Sequence, residues 1–439
     1  MEDPQLKIGI CAAQIISINL LNEYYIKNIG TTLFGKYSLT INNKSIELID
    51  SGNNIIHKSN EISFHPSIKE RNIFEIEDVT IGINFHWEKK EKQKFNGNLK
   101  FIIEKDNIRA INTVKIEDYL FSVISSEMNA NAPTEYLKSH AIISRSWVLS
   151  RIAAENQKDM DFIDNNEKRI KWYGREEHIN FDVCADDHCQ RYQGITRACT
   201  EAVKEAIKET KGIVLYKDNN ICDARFSKCC GGVSEDFENV WENEKISYLS
   251  TIIDSENKDL TLDLKKEEDA REWITSETDS FCNVKDKHLL SRILNDYDYS
   301  TSNFYRWEIE YSQEELSNLL LDNSNIDFGE IKKITALKRG VSGRIYELEI
   351  EGSKKTFTFG KELEIRKVLS KSHLYSSAFI VDYKKVKKGI PGKFILKGSG
   401  WGHGVGLCQI GAAAMVYKGY SHEKVLKHYF KGTELKKIY

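Results

Sequence analysis

Four side chains with metal-binding chemistry fall within twelve positions of one another: His178, Cys184, His188 and Cys189, in the stretch HINFDVCADDHCQRYQG. Two imidazoles and two thiolates are the donor set that Zn²⁺ takes in closed tetrahedral sites. A zinc held by all four is structural rather than catalytic, because no coordination position is left for water or substrate. The spacing H-x5-C-x3-H-C is not that of a zinc finger, and adjacent ligands at 188 and 189 demand an unusual backbone turn. Cys229 or Cys230 is an alternative fourth ligand, and unbound thiols or a local disulfide are the alternatives to a metal. Asp182 and Asp186 read as turn or cap residues.

A second chemistry-bearing residue is Glu127. Ile116, Leu120, Val123 and Ile124 recur at i, i+4, i+7 and i+8, the apolar stripe of a helix, and Glu127 lies on it eleven residues after Ile116. A carboxyl desolvated at the end of such a stripe has its pKa raised, and a carboxyl protonated near neutrality is a general acid. The alternative is a partly exposed last-turn glutamate paired with Arg145.

Two glycine-containing stretches complete the candidates. In RFSKCCGGVSEDFENVW, Ser227 precedes Gly231-Gly232 without the G-x-S-x-G arrangement of a serine hydrolase. In GSGWGHGVGLCQIGAAA, glycine takes every second place from Gly398 to Gly406. If this segment is extended, the glycines form one face and Ser399, Trp401, His403, Val405 and Leu407 the other. A flat glycine face admits an extended polymer, Trp401 offers a sugar-stacking surface and His403 a donor. Close strand-to-helix packing around a buried Trp401 is the alternative. No Lys-Ser/Thr follows the glycines, which excludes a phosphate loop.

The elements that must position these residues follow from periodicity. Residues from Lys7 to about 111 alternate in short runs and read as β-rich, with Asn96-Gly97 as a hairpin turn. The period is helical from Ile116 to about 156, broken at Asn131, Ala132 and Pro133; the second helix has Leu137, Ala141, Val148 and Ile152 on one stripe. Residues 155–180 read as a polar loop, and 200–209 as a third helix ended by Gly212. Asp218, Asn219 and Asn220 mark a hairpin turn. Ser312 and Glu315 form a capping box at the start of SQEELSNLLLDN. The order β, α, β, mixed, β, α gives an α+β protein without regular βαβ units. Four stretches are expected: a β-rich region 1–111, a core 112–254 with the Cys/His cluster, a charged insertion 255–335, and a C-terminal part 336–439 with the glycine run.

The chain has 439 residues, 29% of them charged, and a formal net charge of −3, which leaves no electrostatic case for nucleic acid or an anionic membrane. Its first residues lack the positive and apolar regions of a signal peptide, and no apolar run reaches membrane-spanning length, so read literally the chain is cytoplasmic. Six of nine cysteines lie between Cys184 and Cys230, a clustering that suggests metal rather than a disulfide framework; Cys11, Cys282 and Cys408 read as buried thiols.

Together the stretches VKIEDYLFSVISSEMNANAPTEYLKSHAIISRSWVLSR, HINFDVCADDHCQRYQG, RFSKCCGGVSEDFENVW and GSGWGHGVGLCQIGAAAMVYKGYSHEKVLKHYFKGTEL resemble the SpoIID/LytB family, in the family's order. The resemblance implies cell-wall chemistry at the cell envelope, with peptidoglycan glycan strands as partner. Sporulation members are lytic transglycosylases; others are described as enhancers of cell-wall amidases. It implies a central helical pair carrying the catalytic glutamate and two lobes forming a groove. The family's glutamate falls on Glu127, although Asn129 replaces the usual proline after the methionine. It also implies that Arg145, His140 and Tyr119 orient Glu127, that Ser227, Trp401, His403 and Gln409 line the glycan groove, and that zinc at the Cys/His cluster is structural.

Overall fold

The computed structural model describes residues 3–27, 29–68, 70, 72–83, 88–153, 162–173, 178–197, 200–295 and 303–439. It is a mixed α+β protein that divides into two compact units. The first comprises residues 1–154, 176–214 and 435–439; the second, 155–175 and 215–434.

Alternating burial builds the first unit's sheet. The strand Ile15–Ile26 buries Ile16, Ile18, Leu20 and Tyr24 while its intervening residues are more exposed. Ten strands between Gln5 and Lys115, with Val183–Cys184 added in parallel beside Gln5–Ala13, make one eleven-stranded sheet. The expected hairpin at Asn96-Gly97 is absent. The strand Lys89–Asn96 pairs with Ile73–Ile81, whereas Asn98–Glu104 pairs with Asn107–Lys115 and with Glu61–Pro66. Gly97, at φ 91°, diverts the chain between ladders, and a Cβ there would sit 2.5 Å from the Thr113 carbonyl oxygen. A turn residue reports that the chain bends, not which strands then pair.

Helix α1 (Ile116–Glu127) leaves the sheet directly, and Ile116, Leu120, Val123 and Ile124 are all fully buried. It stops because Met128 is extended, at φ −138° and ψ 169°. Helix α2 (Thr134–Ala153) follows Pro133 and is buried around most of its circumference from Tyr136 to Leu149; Ile152, expected on its apolar stripe, is exposed. Helix α3 (Glu201–Glu209) is capped by the Thr200 side chain, and Gly212 follows at φ 72°. The polar loop expected at 155–180 is only partly loop: residues 163–164 and 168–170 are short strands of the second unit, and 154–161 and 174–177 lie outside the described residues.

In the second unit, the strands Arg306–Ser312, Lys393–Ser399 and Phe379–Lys384 form one sheet, and Ile331–Arg339, Ile345–Gly352 and Thr356–Gly360 belong to another. The helix Gln313–Ser324 begins with the expected Ser312/Glu315 capping box, and Asp218 and Asn219 turn their hairpin in left-handed conformation. Residues 255–335, expected to stand apart as an insertion, are built into this fold. Trp307 shares a core with Phe379 and Leu396, and Leu264, Trp273 and Ile274 share another with Val233 and Ile380. The high charge of this stretch occupies its solvent side and conceals the apolar positions that anchor it.

Candidate functional site

Glu127 closes α1 and is 8% exposed. Its Oε1 accepts a hydrogen bond of 2.9 Å from the backbone N–H of Arg191. That bond is one rung of a ladder between α1 and residues 190–193. The Tyr119 hydroxyl donates to Gln190 Oε1 at 3.1 Å, the Gln193 N–H donates to Ser122 Oγ at 2.8 Å, and Tyr192 stacks on Tyr119 with centroids 5.3 Å apart. Tyr192 is anchored in turn through its hydroxyl, 2.6 Å from Asn112 Oδ1 on the sheet. The segment that orients Glu127 is therefore fixed at each of residues 190–193. Burial, with the neighbouring acidic groups of Cys189, Cys184 and Glu127, holds the Tyr119 hydroxyl well above the ordinary phenol range, so it serves as a proton donor.

Immediately before this ladder lie the four cluster residues. The ligand atoms of His178, Cys184, His188 and Cys189 are all within 4.8 Å of one another. Cys189 Sγ is 3.2 Å from His178 Nε2 and 3.5 Å from His188 Nδ1; Cys184 Sγ is 3.8 Å from His188 Nδ1. A zinc tetrahedron with ordinary Zn–S and Zn–N lengths has S···N edges of about 3.5 Å, so the donor set fits the ion. The sheet supplies the frame. Val183–Cys184 pairs with Ile8–Gly9, Ala185 N–H donates to the Gly9 carbonyl at 3.0 Å, and Lys7 N–H donates to Asp182 Oδ2 at 2.7 Å. Gly9 is required there, since a Cβ would lie 2.6 Å from the Phe181 ring. Cys184 and Cys189 are both free thiols, which removes the local disulfide. Cys230, considered as a fourth ligand, belongs instead to a different group of side chains in the second unit.

The remaining expected site residues fall in other settings. Arg145 is fully buried and binds Glu117, not Glu127: Nε to Oε1 at 2.9 Å and Nη2 to Oε2 at 2.7 Å. His140 is buried on the same helix beside Ser144 Oγ, 3.4 Å from its Nδ1. Both are buried away from solvent, and the Arg145 guanidinium, expected to orient Glu127, is taken by Glu117 instead. Ser227 and Gln409 are buried in the second unit, Ser227 in a two-residue strand pairing with Leu407–Cys408 and Gln409 at the start of the helix Gln409–Tyr417.

The glycine run is not an extended strand. Gly400, Gly402, Gly404 and Gly406 all have positive φ, between 73° and 89°, so the chain turns at every second residue after Ser399. The faces expected to receive a polymer are filled from within. A Cβ on Gly398 would lie 2.1 Å from the Trp307 ring, and one on Gly404 2.3 Å from Arg344 Cζ. Arg344 is 1% exposed; its Nη1 donates to the Cys230 carbonyl and to Ser342 Oγ, both at 3.1 Å. Sequence reasoning missed this arginine, which carries no local signal of its partners. Gly404→Ala is expected to lower stability by about 3 kcal/mol, from a left-handed backbone bearing a side chain and from overpacking. Gly419→Ala, at φ 89° but with no neighbouring atom within 4 Å, is expected to cost about 1 kcal/mol in the same thermal melts.

Trp401 is half-buried, stacked on Tyr375 with centroids 4.2 Å apart, and His403 packs edge-on against Trp241 at 4.8 Å. His403 Nδ1 accepts from the Val405 N–H at 3.0 Å, which leaves the ring proton on Nε2. Burial, then the guanidinium groups of Arg225, Arg344 and Arg366, push its pKa down to about 3. The unfolded chain therefore binds more protons than the folded one between that value and about 6.5, and stability falls as pH drops through this window. His403→Asn, which keeps an acceptor for Val405, is expected to lose on the order of 2 kcal/mol less than the parent between pH 7 and pH 4 in urea titrations.

Residues 104–216, which contain α1, α2 and the Cys/His cluster, match the family profile described as Stage II sporulation protein, and are a domain of the SpoIID/LytB family. Residues 235–406 match a domain of unknown function (DUF8618). Over 397 residues, 90% of this chain and 83% of its relative, the sequence is 24% identical to an uncharacterized protein of Brachyspira hyodysenteriae. It is 22% identical over 329 residues to stage II sporulation protein D of Bacillus amyloliquefaciens, covering 74% of this chain and 75% of that one. Similarity to the amidase enhancer of Bacillus subtilis is 25% identity over 236 residues, 53% of this chain but only 32% of the enhancer's length. Among the described residues no helix is long and apolar enough to cross a membrane.

Proposed function

We propose that this protein is a lytic transglycosylase of peptidoglycan glycan strands, acting at the cell envelope, with Glu127 as acid and then base. The observation that carries the reading is the placing of Glu127 at the end of a buried helical stripe, its Oε1 fixed by the Arg191 N–H at 2.9 Å. A hydrolytic glycosidase uses two carboxyl groups, one for the leaving group and one for water or the anomeric carbon. A lytic transglycosylase uses no water, so one carboxyl suffices. Glu127 donates its proton to the glycosidic oxygen as the bond to C1 of muramic acid breaks. The muramic 6-hydroxyl then attacks C1, its proton passes to the Glu127 carboxylate, and a 1,6-anhydro ring closes with the acid regenerated.

Zinc held by His178, Cys184, His188 and Cys189 is part of the proposal. It supplies no step of the reaction; when bound it holds rigid the turn that leads into Arg191. This chain's own contribution is the backbone N–H of Arg191, which orients the carboxyl, and the Tyr119–Gln190 and Ser122–Gln193 bonds that hold that N–H in place.

A second reading is a non-catalytic wall-binding protein that enhances an N-acetylmuramoyl-L-alanine amidase. It is favoured by the similarity to a protein named amidase enhancer. Mass spectrometry of purified glycan strands, with and without stem peptides, separates the two. Anhydromuramic-acid ends generated by the protein support the transglycosylase; intact strands that remain bound by folded protein support the enhancer.

A further inference from the structure

Three cysteines and an aspartate of the second unit converge in its interior. Cys230, Cys282 and Cys408 are at most 2% exposed, Asp254 is 0% exposed, and their ligand atoms all lie within 4.8 Å of one another. Cys230 Sγ is 3.6 Å from Cys282 Sγ and 3.2 Å from Asp254 Oδ2. We propose that this group is a second metal site, separate from the Cys/His cluster, that binds one Zn²⁺ through three thiolates and a carboxylate in a structural role.

The distances fit a tetrahedral ion. With ordinary zinc–ligand lengths, the S···S edge is about 3.8 Å and the S···O edge about 3.5 Å. A disulfide has an S–S bond near 2.05 Å, and Cys230, Cys282 and Cys408 are free. The surroundings are those of a thiolate-rich site. Cys408 Sγ accepts the Cys230 N–H at 3.2 Å and, as N-cap of the helix Gln409–Tyr417, the Gly411 N–H at 3.4 Å. Backbone N–H groups and a helix N-terminus both favour a negative sulfur. Asp254 is oriented from the far side by the Tyr429 hydroxyl, 2.7 Å from Oδ1, with His428 Nε2 at 3.4 Å. Such outer contacts orient a metal-binding carboxylate. Gly411 leaves room for this pair, since a Cβ there would lie 2.4 Å from the Tyr429 hydroxyl and 2.5 Å from Asp254 Oδ2.

A carboxylate and three thiols buried this completely are a costly use of the interior unless a cation joins them. An ion here ties together four stretches distant in sequence: the Cys229–Gly232 turn, residue 254, the loop at 281–282, and the end of the glycine run. No position remains for water, so the ion is a fastener rather than a reaction centre.

The test is metal content of the full chain, produced with zinc and purified without oxygen. We expect two zinc ions per chain in the parent, one in Cys282→Ser, one in Cys184→Ser, and none in the double variant. Loss confined to Cys282→Ser, with Cys184→Ser unchanged, supports this site and removes zinc from the Cys/His cluster. Unchanged metal in Cys282→Ser overturns the proposal, as does a Cys230–Cys282 disulfide in peptide maps of the alkylated parent. Should Cys282→Ser not fold, the parent loaded with ¹¹³Cd decides: two resonances, one from a three-sulfur and one from a two-sulfur environment, uphold the second site, and absence of the three-sulfur resonance overturns it.

Discussion

Glu127→Gln is expected to lower the yield of anhydromuramic-acid ends from glycan strands by at least about 10²-fold, the usual minimum for losing a general acid–base group. Glutamine has the shape of glutamate and retains an oxygen to accept the Arg191 N–H, so the 2.9 Å bond survives. What disappears is the transferable proton, and with it both halves of the proposed reaction, because the proposed mechanism uses the same group twice. Thermal stability is expected to stay within about 1 kcal/mol of the parent, and strand binding to persist. Equal cleavage by parent and variant would assign the chemistry to another residue. A parent that binds strands and leaves them intact would move the protein to the enhancer reading.

The second large effect is on stability. Glu117 is 7% exposed and receives both arms of the fully buried Arg145, together with the Tyr439 hydroxyl at 2.6 Å and the Gly212 N–H at 3.3 Å. It joins α1 to α2, to Gly212 beyond the end of α3, and to Tyr439. Glu117→Leu strands the Arg145 guanidinium in the interior and is expected to cost about 3–5 kcal/mol, the range for breaking a buried pair from one side. Replacing both partners, Glu117→Leu with Arg145→Met, removes the stranded charge and is expected to restore most of that loss. Urea unfolding, with hydrogen exchange read at α1 and α2 peptides, measures both. A single variant as stable as the parent would show that Arg145 reaches water or another anion when Glu117 is lost.

These two glutamates show where sequence is informative. Both lie on α1, ten residues apart, and periodicity identified the stripe that ends at Glu127. It gave no reason to pair Arg145 with Glu117 over Glu127, since a helix pattern records which face is buried and not which partner faces it. The glycine run is the converse case. Alternation suggested an extended strand, but glycine is equally the residue of left-handed turns, and only the surrounding Trp307, Cys229, Ser227, Arg344 and Arg225 show what each glycine makes room for.

The Cys/His cluster was readable because its four residues lie within twelve positions, so local chain geometry alone brings them near one another. Cys230 and Cys408 are 178 residues apart, and no spacing rule reaches that far. Three cysteines that read singly as ligand alternative or buried thiol become a set only once the strand Phe226–Ser227 pairs with Leu407–Cys408 and the loop at 281–282 closes over Asp254. The sequence by itself determined the α+β class, the α1 stripe with Glu127 and the Cys/His donor set, because each is written in near-neighbour periodicity or spacing. Tertiary structure alone decided the partners of the buried charges, the turned path of the glycine run and the second cysteine cluster, because those depend on long-range strand pairing and packing that bring distant residues into contact.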